Sequence, residues 1–120
     1  MNSRTINEIR KKNQLDKETA LQKVFELIAA GACIQSPEQL HIRGSISCGK
    51  NVKFDLNVII EGNVRLGKNV VVGANSILRD CTIGSGTVIN PFSLVEGAVI
   101  GKSCIIGPYG RIRPDVSVGD

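Results

Sequence analysis

Tryptophan is absent from this 120-residue chain, tyrosine occurs once and phenylalanine three times, so aromatic residues make up only 3% of it. Any core must be built from Val, Ile and Leu in regular rows, which argues against an ordinary sandwich or an aromatic-lined ligand barrel. Histidine is nearly missing too. His41 stands alone, and the four cysteines, Cys33, Cys48, Cys81 and Cys104, include no C-x-x-C pair, so the usual Cys/His zinc spacing cannot be completed. The cysteines read as reduced, small core residues. No apolar run approaches the roughly 18 residues of a membrane span, and Met1-Asn2-Ser3-Arg4 leads into a mixed-charge segment rather than a secretory signal. The expected compartment is the cytoplasm. Basic excess is thin: six Lys/Arg face five Asp/Glu up to residue 40, and nine face six after it. A net charge of +4 spread in this way makes no nucleic-acid footprint.

What is present falls into two periods. Over residues 5–30 the apolar Ile6, Ile9, Leu21, Val24, Phe25, Leu27 and Ile28 recur at helical spacings of three and four. This predicts an amphipathic helical arm. Thr5 with Glu8 matches a capping box, Asp16 is placed to restart a second helix after the polar residues 11–14, and Gly31 sits where a helix-ending glycine belongs. Two helices or one kinked helix both fit. The arm serves either to dock or link modules or simply to pack on the domain that follows.

After Pro37 a six-residue period takes over. From Ile42 it runs through Cys48, Phe54, Ile60, Leu66, Val72 and Leu78, then Ile83, Ile89, Val95, Ile100, Ile106, Ile112 and Val118, and all fourteen positions are apolar. The next residue is often Gly (Gly49, Gly67, Gly73, Gly84, Gly101, Gly107, Gly119), and the position four after the apolar one is usually small or β-branched. Asn51, Asn57, Asn63, Asn69 and Asn75 all fall three after it. Asparagine tolerates the left-handed backbone of a sharp corner. Each hexad therefore reads as a short strand and a turn, and three hexads as one triangular coil of a parallel β-helix. Two hexads, Leu78 to Ile83 and Val95 to Ile100, are one residue short; lying 17 apart, they fall on the same edge of successive coils. Pro91-Phe92 and Pro108-Tyr109 share that spacing, which predicts the two rings as packing residues stacked at one corner.

The hexads Leu66-Gly67-Lys68-Asn69-Val70, Ile83-Gly84-Ser85-Gly86-Thr87 and Ile100-Gly101-Lys102-Ser103-Cys104 resemble the hexapeptide-repeat acyltransferases. Two longer runs narrow the likeness: Phe54-Asp55-Leu56-Asn57-Val58-Ile59-Ile60-Glu61-Gly62-Asn63-Val64, and Ile106-Gly107-Pro108-Tyr109-Gly110-Arg111-Ile112-Arg113-Pro114. They resemble the bacterial bifunctional UDP-N-acetylglucosamine pyrophosphorylase/glucosamine-1-phosphate N-acetyltransferases. That resemblance implies a mainly β fold, a left-handed parallel β-helix behind the helical arm, assembled as a cytoplasmic homotrimer. It implies acetyl transfer from acetyl-CoA to glucosamine 1-phosphate, and Mg²⁺-dependent uridylyl transfer in a separate N-terminal domain, for cell-envelope precursor synthesis. Arg113 matches a substrate-binding arginine, and its place after the inward Ile112 aims it outward, where a guanidinium can clamp an anionic sugar phosphate or UDP-sugar. Asn2 matches a residue that helps to hold Mg²⁺ in the uridylyltransferase domain. The catalytic histidine, the substrate lysine and the acetyl-CoA contacts of the resembled enzymes have no counterpart in this sequence, so no catalytic residue is assigned. His41, at the entrance of the first coil, is no substitute.

The expected organisation is a helical linker arm over residues 1–40 and about four coils over residues 41–120. Val118-Gly119-Asp120 stops as a new hexad begins, so a truncated chain, or one whose open end another subunit covers, is expected. Three functions follow: an enzyme segment that contacts substrate through Arg113 but turns nothing over and retains no cofactor alone, a non-catalytic oligomerisation module, or a degenerate fragment that folds poorly.

Overall fold

The computed structural model describes residues 3–113 and 117–119. Its first element, α1, is one continuous helix over Ser3–Ala29. No Gly or Pro interrupts that stretch, so the polar residues 11–14 do not break it and no second helix starts at Asp16. Thr5 lies within the helix instead of capping it, because the helical conformation already holds at Ser3. The C-terminal stop falls where expected. Gly31 takes φ 103°, its N–H donates to Ile28 O at 3.0 Å, and the Ala32 N–H donates to Leu27 O at 3.0 Å, the paired bonds of a Schellman ending.

Beyond the helix the chain is a parallel β-solenoid with three faces. The first face stacks five short strands, Cys33–Ile34, Lys53–Phe54, Val71–Val72, Val88–Ile89 and Ile105–Ile106. The other two faces share a second sheet, because the strands Leu40–Cys48 and Val58–Leu66 run without a break around the corner between them. Higher up, each face has its own strand: Ile77–Arg79, Leu94–Glu96 and Arg111–Ile112 on the second, Thr82–Ile83, Val99–Ile100 and Ser117–Val118 on the third. Every pairing in these sheets is parallel, as a coil that always turns the same way requires.

The register confirms the hexad reading. Ile42 pairs with Ile60 and Ile60 with Leu78, whereas Leu78 pairs with Val95 after 17 residues and Ile83 with Ile100 after the same interval. Eleven of the fourteen periodic residues are buried, and Cys48, Ile112 and Val118 pack against that core in part. A second inward column comprises Val52, Val58, Val64, Val70, Ser76, Cys81, Thr87, Ser93, Ala98 and Cys104. It lies two residues before each periodic position. In the shortened hexads Cys81 and Ala98 therefore go inside, and Thr82 and Val99, four after the apolar residue, face out.

Corners explain the slip. At one corner Asn57, Asn75, Phe92 and Tyr109 take positive φ, at the next Gly62, Asp80 and Gly97, at the third Asn51, Asn69, Gly86 and Ser103. Each residue stacked in this way on a lower coil donates its N–H to the coil beneath, as Asn69 does to Lys50 O at 2.9 Å and Asp80 to Glu61 O at 3.2 Å. Asn63 departs from the expected asparagine ladder. Gly62 makes the left-handed turn there, and Asn63 is the residue that the later coils omit; its N–H is held by Asp80 Oδ1 at 2.9 Å.

The arm rests on the solenoid by its last turns only. Val24 is buried and Leu27 packs against the core in part, whereas Ile6, Ile9 and Leu15 are exposed. The Lys23 ammonium donates to Gly44 O at 2.6 Å and pins the arm to the first coil. Among the described residues no helix is long and apolar enough to cross a membrane.

Candidate functional site on the second face

Side chains on a strand alternate between inside and outside, so each coil offers the second face two outward positions. The first forms the column His41, Ile59, Ile77, Leu94 and Arg111. The second forms Arg43, Glu61, Arg79 and Glu96, opposite in sign at every step. Arg43 Nη1 lies 3.9 Å from Glu61 Oε1, Arg79 Nε lies 3.2 Å from Glu61 Oε2, and Arg79 Nη1 lies 3.4 Å from Glu96 Oε2. Rungs about 4.8 Å apart bring successive side chains within reach of one another. The hydrogen bond to Glu61 and the attraction of Glu61 and Glu96 raise the pKa of Arg79 still further above its ordinary value.

Arg113 continues this column. Leu94 pairs with Arg111 and Val95 with Ile112, so the register carries Arg113 over Glu96. Its side chain is exposed, as its outward assignment required. His41 is four rungs lower on the same face, about 19 Å away, so a ligand held at Arg113 is out of its reach. It lines an open cleft of about 740 Å³ between α1 and the first coil, together with Lys17, Lys23 and Arg43. Asn2 lies outside the described residues. Among the described residues no group of three or more His, Cys, Asp or Glu stands close enough to hold a metal ion.

Next to the arginines, Phe92 and Tyr109 stack at the corner with ring centroids 5.5 Å apart and planes 15° from parallel, as their spacing predicted. Of the cysteines, all free, Cys81 and Cys104 are core residues and Cys48 is half-buried. Cys33 departs from the expectation: it is exposed, because its strand begins the first face with Ile34 turned inward. Burial pushes the Cys48 thiol up to about 11 and the Cys81 thiol up to about 12. These thiols are poor nucleophiles and poor metal ligands.

A family profile described as GMPPB C-terminal domain matches residues 42–120. This chain belongs to the GMPPB C-terminal domain family. The matched segment opens at Ile42, the first residue of the hexad period, and leaves α1 outside. Among curated proteins, the Bifunctional protein GlmU of Paraburkholderia phytofirmans is 42% identical over 94 residues, 78% of this chain and 21% of that relative. The Bifunctional protein GlmU of Azoarcus sp. (strain BH72) is 44% identical over 94 residues, and that of Burkholderia multivorans 39%, with the same shares covered. The chain thus spans about a fifth of the length of the curated relatives it matches. The likeness seen in its two long runs extends over most of its coils.

Proposed function

We propose that this chain is the linker arm and early coils of the acetyltransferase domain of a sugar-nucleotide biosynthesis enzyme, the domain that moves acetyl from acetyl-CoA to glucosamine 1-phosphate on the way to UDP-N-acetylglucosamine. The observation that carries this reading is Arg113, an exposed guanidinium at the upper end of a column whose lower four charges pair with one another, in a chain similar to the Bifunctional proteins GlmU. A guanidinium presents five N–H donors in a planar fork, which suits the phosphate of a sugar phosphate or UDP-sugar. Acetyl-CoA, when bound, supplies the acyl group, and this chain's own part is to hold and orient the anionic substrate. Among the described residues no imidazole lies within reach of a ligand held at Arg113, so the chain alone is expected to bind without turnover. In a homotrimer, neighbouring solenoids supply the rest of the site.

Titration of the 120-residue chain with glucosamine 1-phosphate and with UDP-N-acetylglucosamine tests this reading. Saturable binding that weakens about tenfold or more in Arg113→Ala is expected, as for the loss of one charge-assisted contact. Equal binding by the two proteins would overturn it.

A second reading, an oligomerisation module without surviving chemistry, is favoured by the apolar residues left on the outside: Val99 is 57%, Ile105 72% and Tyr109 77% exposed. It predicts a cooperative trimer that ignores both ligands, and sedimentation as a folded monomer would exclude it.

A further inference from the structure

The charged column of the second face leads up to Arg113. Four of its members are already joined: Arg43 to Glu61, Glu61 to Arg79, Arg79 to Glu96. Arg79 is gripped from both sides, by Glu61 from below and Glu96 from above, and Glu96 is only partly exposed, so its carboxylate is confined on the column axis. Extended by one residue past Ile112, the register sets Arg113 one rung above that carboxylate. We propose that Glu96 is the positioning residue of Arg113: its carboxylate engages one side of the guanidinium from below and turns the remaining N–H donors outward to the anionic ligand. This rests on the reading of Arg113 as the holder of the substrate's phosphate.

Arg111 serves as an internal comparison. It lies on the same strand, two residues away, and is equally outward, but the residue beneath it is Leu94 and the column below that is Ile77 and Ile59. Arg111 therefore has no carboxylate on its rung below, and a long flexible side chain without such a partner keeps its rotamer freedom. Preorganisation, not charge, is what separates the two arginines. Glu96 itself reduces the positive potential at Arg113, so an electrostatic role and a positioning role predict opposite signs when Glu96 is neutralised.

The test uses the full chain labelled with ¹⁵N-arginine, and reads each Nε–Hε group by heteronuclear relaxation and solvent exchange. In the unaltered protein Arg113 is expected to be more ordered and slower to exchange than Arg111, and in Glu96→Gln to fall to the level of Arg111, which itself does not change. Glu96→Asp, which keeps the charge on a shorter stem, is expected to restore part of the order. Equal order of Arg113 and Arg111 in the unaltered protein, or an Arg113 indifferent to Glu96→Gln, would overturn the proposal. The second arm titrates glucosamine 1-phosphate. Positioning predicts that Glu96→Gln weakens binding by up to about fivefold, the range of an exposed ion pair, although the variant is the more positive protein. Unchanged or tighter binding would overturn the positioning role. Ordered Arg113 in a protein that binds no sugar phosphate at all would overturn the ligand reading while leaving the Glu96–Arg113 pair standing. Unchanged amide spectra of the other coils check that the variants fold.

Discussion

A coil packed this tightly leaves little freedom at single positions. A Cβ built on Gly84 would lie 2.5 Å from the backbone carbonyl carbon of Gly101 in the coil above, so Gly84→Ala must push two coils apart. Phe92 and Tyr109 break the pattern in the other direction. Large rings in the left-handed region are outliers, whereas Asn57 and Asn75 below them suit it, and what offsets the strain is the ring stack itself. The buried thiols make a pH prediction. Cys81 ionises near 9 when unfolded but only at about 12 in the fold, so its contribution to stability is complete below pH 9 and is lost as pH rises toward 12. Urea denaturation at stepped pH is expected to show falling stability above pH 9, and Cys81→Ala to flatten part of that fall. A thiol reagent at neutral pH should modify Cys33 quickly and Cys81 only on unfolding.

At the scale of elements, the rows of aliphatic residues were legible because their spacing is the coil itself. The two shortened hexads were legible for the same reason. The first rung of the first face was not, since Ile34 precedes Ile42 by eight residues and lies outside the six-residue phase; only its pairing with Phe54 reveals it. The asparagine ladder misled at Asn63, where a neighbouring glycine could turn the chain at less cost. Arg113 could be picked out from its run, whereas Glu96 belongs to no such run; the signal that could have found it is the 18- and 17-residue coil spacing that sets it over Arg79 and Glu61. The arm is docked through its last turns, by Val24, Leu27 and the Lys23 hydrogen bond to Gly44 O. Val24→Asp, which buries a charge against the first coil, is expected to release α1, so that limited trypsin digestion cuts at Lys17 and Lys23 early while the solenoid melts as before.

Across the whole molecule, each coil touches only the one above and the one below, and stability is a sum of neighbour terms. Removing a buried side chain in the middle should therefore be felt everywhere, and at an outer rung only locally. Leu78→Ala, fully buried on the second face, is expected to cost about 2–5 kcal/mol and to lower the single melting transition. Ile112→Ala, packed in part, is expected to cost about 1 kcal/mol and to speed hydrogen exchange in the uppermost coil alone. Uniform exchange in both variants would contradict a neighbour-coupled solenoid. The corner at Gly62 and Asp80 adds one consequence for engineering. Because the coil closes equally well with Asn63 present or its counterpart omitted, chain length there is decoupled from strand register on both flanking faces. A peptide epitope or short hairpin spliced in at Asn63 would give up the Ser45–Asn63 rung and project sideways from the solenoid, with the rungs of the two flanking faces still paired, which makes that corner a natural port for display.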